Sequence, residues 1–319
     1  MRRFQLETMW ELEYSCPLIT FFKKELMTSL YLNCLLSISF CTAGDADTNL
    51  PLARLSASRN NYERRIAAEL SGMNPRLSKQ AANLLAKALN DPAVRVRRAA
   101  ASALLQTSGR ERLTVPALAA ATSDEDKTVR ILSLRALQRM GVLAENALPA
   151  LTSALNDSDF RVRAIAARAL GELGRRGASA TTALASATDN SSEEVRLAGI
   201  QALGNIGPHA AAGTPALVAR LEDESSTVRL AAAESLGAVI AMPELAVPAL
   251  IESLSDSNEH VRAAAAHSLG RFRRHADSAV PSLIDSMKDE SPRVRSAALR
   301  AVRCIQKRPL VFWQNSHER

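Results

Sequence analysis

The chain has 319 residues, 47% of them hydrophobic but only 4% aromatic, so its apolar mass is Ala, Leu, Val and Ile. Such residues suit closely packed helices and give a strand-built core little bulk. The formal net charge is +7, and residues 77–307 hold 29 Lys and Arg against 24 Asp and Glu, a surplus too thin and scattered to form a nucleic-acid patch by itself.

Residues 1–50 differ in kind from the rest. Lys23-Lys24 precedes an apolar run from Leu26 to Cys41, followed by the polar stretch CTAGDADTN. That order suits a secretory signal cleaved after Ala43 or Ala46, which implies export to a periplasmic or extracellular space. Glu7, Glu11 and Glu13 do not suit a signal n-region, which a translation start at Met27 would resolve. A lipidated Cys41, a helical segment packed elsewhere and a membrane anchor are the alternatives. Phe40 is a poor residue before a lipidation site, and Asn33, Ser37 and Ser39 make the run short and polar for a span. Without export the chain is cytoplasmic.

Residues 51–76 read as a degenerate half-repeat that caps the first full hairpin. Tyr62 to Gly72 falls in the register of the later repeats, with Arg64 at a position that arginine occupies throughout, but the stretch lacks their Val and Asp.

Residues 77–307 carry seven repeats of 33 residues without insertion. A Val-Arg pair recurs at Val96-Arg97, Val129-Arg130, Val162-Arg163, Val195-Arg196, Val228-Arg229, Val261-Arg262 and Val294-Arg295. Five residues earlier stand Asp91, Asp124, Asp157, Asn190, Asp223, Asp256 and Asp289; eight later, Leu104, Leu137, Leu170, Leu203, Leu236, Leu269 and Val302. Pro116, Pro149, Pro215, Pro248 and Pro281 share another column, filled by Asn83 and Thr182 elsewhere, and a Leu stands two residues on. Proline suits a first helical turn, where its missing N–H had no partner. Each unit thus predicts a short helix A opened by Pro, an Asp-containing turn, and a longer helix B. Counted from the Val, positions 0, +3, +4, +7, +8 and +11 of helix B are apolar or small and share one face. Gly171, Gly204, Gly237 and Gly270 at +9 predict close approach of adjacent helices, and Gly141, Gly174 and Gly207 at +12 predict C-terminal stops. Ser291 and Pro292 suit an N-cap and first turn. Residues 308–319 form a tail whose Leu310, Val311, Phe312 and Trp313 are expected to fold back over the last hairpin or make a peripheral contact.

The Pro-x-Leu of helix A, the turn Asp, the Val-Arg and the Ala/Leu face after it resemble the HEAT repeat, in the short class associated with phycobilisome-lyase-like proteins. The resemblance covers residues 77–307. It implies an all-α fold, an α-solenoid coiled as a right-handed superhelix of seven helical hairpins, on the order of 70 Å long at the usual spacing of packed helices.

The columns of Asp91, Asp124, Asp157, Asp223, Asp256 and Asp289 and of Arg97, Arg130, Arg163, Arg196, Arg229, Arg262 and Arg295 admit two readings. One is an anion-binding ladder. The other, favoured by nearly equal numbers at fixed offset, is a structural ladder tying helix B to a hairpin turn of its own or a neighbouring repeat.

No catalytic motif emerges: the sequence has no GxSxG, P-loop, dinucleotide fingerprint or HExxH. Three of four cysteines (Cys16, Cys34, Cys41) precede residue 50, and no CxxC or Cys/His metal spacing exists. Among short HEAT proteins, deoxyhypusine hydroxylases hold di-iron through repeated His-Glu pairs; here the sole His-Glu is His317-Glu318, in the tail. His260 and His267 share one side of a helix and read as a solvated and a groove residue. The reading is therefore non-catalytic, with no metal and no cofactor. It is a scaffold binding a protein or peptide on the concave helix-B surface. The outward positions +6 and +10 of helix B supply the candidate contacts Arg135, Arg139, Arg168, Glu172, Gln201, Glu234, His267 and Arg271. A bilin-lyase or hydroxylase relative, and a nucleic-acid-binding solenoid, are the alternatives. A membrane enters only through the N-terminal segment.

Overall fold

The structure is a computed structural model, and it describes residues 57–73, 78–106 and 111–306. The N-terminal segment to residue 50 and the tail from residue 307, with the signal, lipidation and fold-back expectations placed on them, lie outside the described residues.

Among the described residues there are helices and turns and no strand. Helix α1 (Asn61–Gly72) precedes seven hairpins. The short A helices are α2 (Lys79–Ala88), α4 (Glu111–Ala121), α6 (Leu148–Ala154), α8 (Thr181–Ala187), α10 (Thr214–Ala219), α12 (Pro243–Glu252) and α14 (Val280–Ser286). The longer B helices are α3 (Val94–Gln106), α5 (Lys127–Met140), α7 (Phe160–Glu172), α9 (Glu193–Ile206), α11 (Ser226–Val239), α13 (Glu259–Phe272) and α15 (Pro292–Gln306). None of these helices is long and apolar enough to cross a membrane.

The periodic columns become a continuous core. Every repeat Val is buried, as are Leu85, Leu118, Leu151, Leu184, Leu217, Leu250 and Leu283 of the A helices and the +8 residues of the B helices. Burying each such Leu contributes roughly 1.5–3 kcal/mol. Each B helix packs on the B helices before and after it, and α1 packs on α3 as though it were a B helix. The +9 glycines make this spacing: a Cβ on Gly171 would stand 2.9 Å from the Ala202 Cα, and one on Gly270 2.9 Å from the Ala301 Cα. Where the facing residue is serine it also bonds backward, Ser235 Oγ to the Ile200 carbonyl at 3.0 Å and Ser268 Oγ to the Ala233 carbonyl at 2.7 Å.

Two details depart from the sequence reading. Pro149, Pro215 and Pro281 do occupy the first turn of their helices, but Pro116 and Pro248 lie inside α4 and α12. In those two hairpins helix A begins earlier, so its opening turn is already made when the proline is reached. The other departure is the connection from B to A, which is a 3₁₀ segment at Gly141–Ala147, Gly174–Ala180, Gly207–Gly213 and Arg273–Ala279. Gly141, Gly174 and Gly207 begin these segments at φ +51°, +54° and +69°, as stops should. Arg273 occupies the same position at φ +52°, ψ −133°, a conformation that favours glycine.

Candidate functional site

The arginine column is consumed within the array. Arg97 Nε and Nη2 donate to Asp124 Oδ2 and Oδ1 at 2.7 and 3.1 Å, so the partner belongs to the next repeat along the chain. Its Nη1 donates back to the Asp91 carbonyl of its own turn at 3.0 Å. The arrangement recurs with Arg64 on Asp91, Arg130 on Asp157, Arg196 on Asp223, Arg229 on Asp256 and Arg262 on Asp289. Each Asp in turn accepts from the backbone N–H two residues on, as Asp223 does from Ser225 at 3.0 Å. One guanidinium therefore clasps two turns, and one carboxylate shapes the turn that holds it.

The charges respond accordingly. Burial works against ionisation of Asp91, Asp223 and Asp256. The arginine bond, the backbone N–H and nearby guanidinium charge outweigh it, and these carboxyls titrate below their ordinary range. At Asp289 the Arg262 bond is the main cause of the same shift. Arg97, Arg196, Arg229 and Arg262 are raised chiefly by their carboxylate bonds.

Two positions break the ladder. Arg163 faces Asn190, whose Oδ1 lies 3.4 Å from Nη2, and the buried Nε of Arg163 has no partner. Arg295 donates to the Asp289 and Glu290 carbonyls and meets no carboxylate among the described residues.

A second polar line, of which the sequence reading noted only Ser291, runs along the helix N-caps. Asp126 caps α5 and pairs with Arg98, and this bond with Arg98, more than any other contact, lowers its carboxyl to about 2. Asp159 caps α7 and pairs with Lys127 at 3.1 Å. Ser225 Oγ donates to Glu193 at 2.6 Å, and Arg293 Nη1 lies 3.1 Å from His260 Nδ1. The signal was legible as a column of Asn60, Asp126, Asp159, Ser192, Ser225, Asn258 and Ser291, three residues before the repeat Val or its equivalent in every unit but the first full repeat, where Ala93 stands.

The +6 and +10 positions face away from the core. Arg135, Arg139, Glu172, Gln201, Glu234, His267 and Arg271 are exposed, and Arg168 is partly exposed. Arg168 pairs with Glu194 at 3.2 Å, and Arg139 donates to the Leu105 carbonyl. Partly buried Ile131, Leu132, Leu197 and Leu230 from the same B helices pack against the core. Phe160 is 39% exposed at the start of α7, with the Arg161 guanidinium 5.6 Å from its ring centre. His260 and His267 are both exposed. Among the described residues no group of three or more His, Cys, Asp or Glu side chains is placed to hold a metal ion.

Comparison with known proteins agrees with this architecture. The sequence matches the HEAT-repeat family over residues 48–138, 114–204, 148–237, 181–254 and 214–303, overlapping stretches that cover most of the chain. No curated protein matches it. Its fold is similar to that of an engineered protein, with a TM-score of 0.60 and 20% identity over 81% of this chain and 78% of that one. It is also similar to importin beta, with a TM-score of 0.56 and 15% identity over 80% of this chain and 40% of that one. A designed armadillo repeat protein in complex with the peptide (KR)4 has a TM-score of 0.51 and 19% identity over 60% of this chain and 99% of its own. At these identities the likeness concerns the fold alone. With seven hairpins in one register and a family match running from residue 48 to residue 303, the chain belongs to the HEAT-repeat family.

Proposed function

We propose that this protein is a non-catalytic scaffold that binds a protein or peptide along the open face of its B helices. The carrying observation is a division of labour among positions. The residues that recur in every repeat are spent on the core and the ladder, while +6 and +10 are exposed and differ from repeat to repeat. A surface whose chemistry changes stepwise along a rigid stack can read an extended partner one position at a time. We take this as the concave side, because the +9 glycines let neighbouring B helices approach closely. The designed armadillo neighbour, which holds the peptide (KR)4, offers a precedent for a helical stack as a peptide receptor.

The test is selection from a displayed peptide library with the full chain. Expected binders lose at least tenfold in affinity when Gln201→Lys and Glu234→Lys are combined, or when Arg271→Glu is introduced, according to where they lie. Binders that ignore every substitution at the eight candidate positions would refute the placement.

A further inference from the structure

The open face is not uniform in charge. On hairpins 1 to 3 (α3, α5 and α7) it carries Arg95, Arg98, Lys127, Arg135, Arg139, Arg161 and Arg168. Some of these are neutralised locally, Arg98 by Asp126, Lys127 by Asp159 and Arg168 by Glu194. Four are not. Arg95 and Arg135 have neither ion pair nor hydrogen bond among the described residues, Arg139 meets only a carbonyl, and Arg161 only the Phe160 ring. On hairpins 4 and 5 the corresponding positions hold Glu194, Gln201, Asn205, Thr227, Glu234 and Ala238, with no cation. A cationic tract on α3, α5 and the N-terminal half of α7 thus meets an acidic one, which begins with Glu172 at the C-terminal end of α7 and continues in Glu194 and Glu234. Apolar side chains lie within the cationic tract, Ile131 and Leu132 half-buried and Phe160 more open.

We propose that the open face of α3, α5 and α7 is a docking site for a short, extended acidic peptide in which carboxylates alternate with apolar side chains. This rests on the scaffold reading above and names its partner class. Three helices spaced about 8–10 Å apart span roughly 20 Å between first and third axes, the length of about six extended residues. The carboxylates neutralise Arg95, Arg135, Arg139 and Arg161, and the apolar residues cover Ile131, Leu132 and Phe160. Exposed arginines opposite carboxylates act on encounter rate and selectivity as much as on affinity, so binding weakens as salt rises. A nucleic-acid strand fits less well. It needs phosphate contacts that continue along its backbone, whereas Glu172, Glu193 and Glu194 stand where the strand would run on.

The test is fluorescence anisotropy of the full chain at low salt with three labelled probes: (Glu-Leu)4, (Lys-Leu)4 and an eight-residue oligothymidylate. The expected result is binding of (Glu-Leu)4 alone, weakened at least tenfold by Arg135→Glu with Arg139→Glu. Lys87→Glu on helix α2 should leave it unchanged, with helical circular dichroism retained in all variants. Arg95→Glu with Arg161→Glu provides a second pair should the first fail to fold. The proposal is overturned if (Glu-Leu)4 does not bind, if neither reversal weakens it, or if either other probe binds as tightly. Tighter binding by oligothymidylate would point to nucleic acid instead. If library-selected peptides respond only to substitutions in hairpins 4 to 7, the scaffold reading stands and this assignment falls.

Discussion

At the scale of single residues, the ladder shows how one column can appear functional and be spent internally. Arg196 and Asp223 are the most enclosed pair, with side chains 7% and 3% exposed. Removing one member of such a pair leaves a buried charge without its partner, which costs more than the pair itself contributes. Asp223→Ala is therefore expected to lower stability by roughly 3 kcal/mol, measured by urea unfolding; a loss below half of that would show the pair to be dispensable. The converse holds at Asn190, where a neutral amide faces Arg163 at 3.4 Å. Asn190→Asp supplies the missing carboxylate and is expected to raise stability by about 1 kcal/mol, as a partly exposed ion pair does. An unchanged or lower urea midpoint would mean that Arg163 is already satisfied.

The helices show the same economy. An A helix is as short as the six residues of α10, too short to persist alone, and it survives because Leu217 is buried where the helix packs on α11 and on the neighbouring A helices α8 and α12. The B helices end where the chain must reverse into the 3₁₀ connection, and the backbone there takes positive φ whether or not glycine is present. At Arg273 it is not, so the local conformation carries strain on the order of 1 kcal/mol that a glycine would relieve. Arg273→Gly is expected to raise the thermal midpoint by a few degrees, in line with about 1 kcal/mol gained. A lowered midpoint would mean that the side chain makes contacts outweighing the strain. Sequence reading placed Gly141, Gly174 and Gly207 correctly as stops. It did not foresee that Arg273 would be held in the same conformation, because propensity favours the opposite and neighbouring repeats override it.

For the molecule as a whole, stability is a sum over junctions, each closed by similar core contacts and all but the Arg163–Asn190 junction by a ladder ion pair. The carboxyls of Asp91, Asp126, Asp159, Asp223, Asp256 and Asp289 all lie below their ordinary value of 3.8, with Asp126 near 2. A carboxyl depressed in the folded state stabilises the fold above its unfolded value, and that contribution disappears as pH falls through the folded one. The contribution of these carboxyls to the urea midpoint should therefore be complete above about pH 4 and decline as pH falls below it, with that of Asp126 lost only near pH 2. A midpoint as high at pH 2.5 as at pH 5 would contradict it.

The 33-residue register, the two helices of each hairpin, the buried Val and Leu columns and the close-approach glycines were all determined by the sequence. These are local patterns repeated in phase, and each copy corroborates the others. The outward direction of +6 and +10 was legible for the same reason, since helical geometry fixes it once the core face is known. Tertiary structure alone decided which turn each arginine serves. Its own turn and the next are both within reach of the sequence pattern, and only stacking shows that the guanidinium bridges the two. Tertiary structure also decided which groove cations remain unneutralised. Arg98 finds a carboxylate and Arg135 does not because partners one repeat away are set by how adjacent helices pack, information that no single repeat contains.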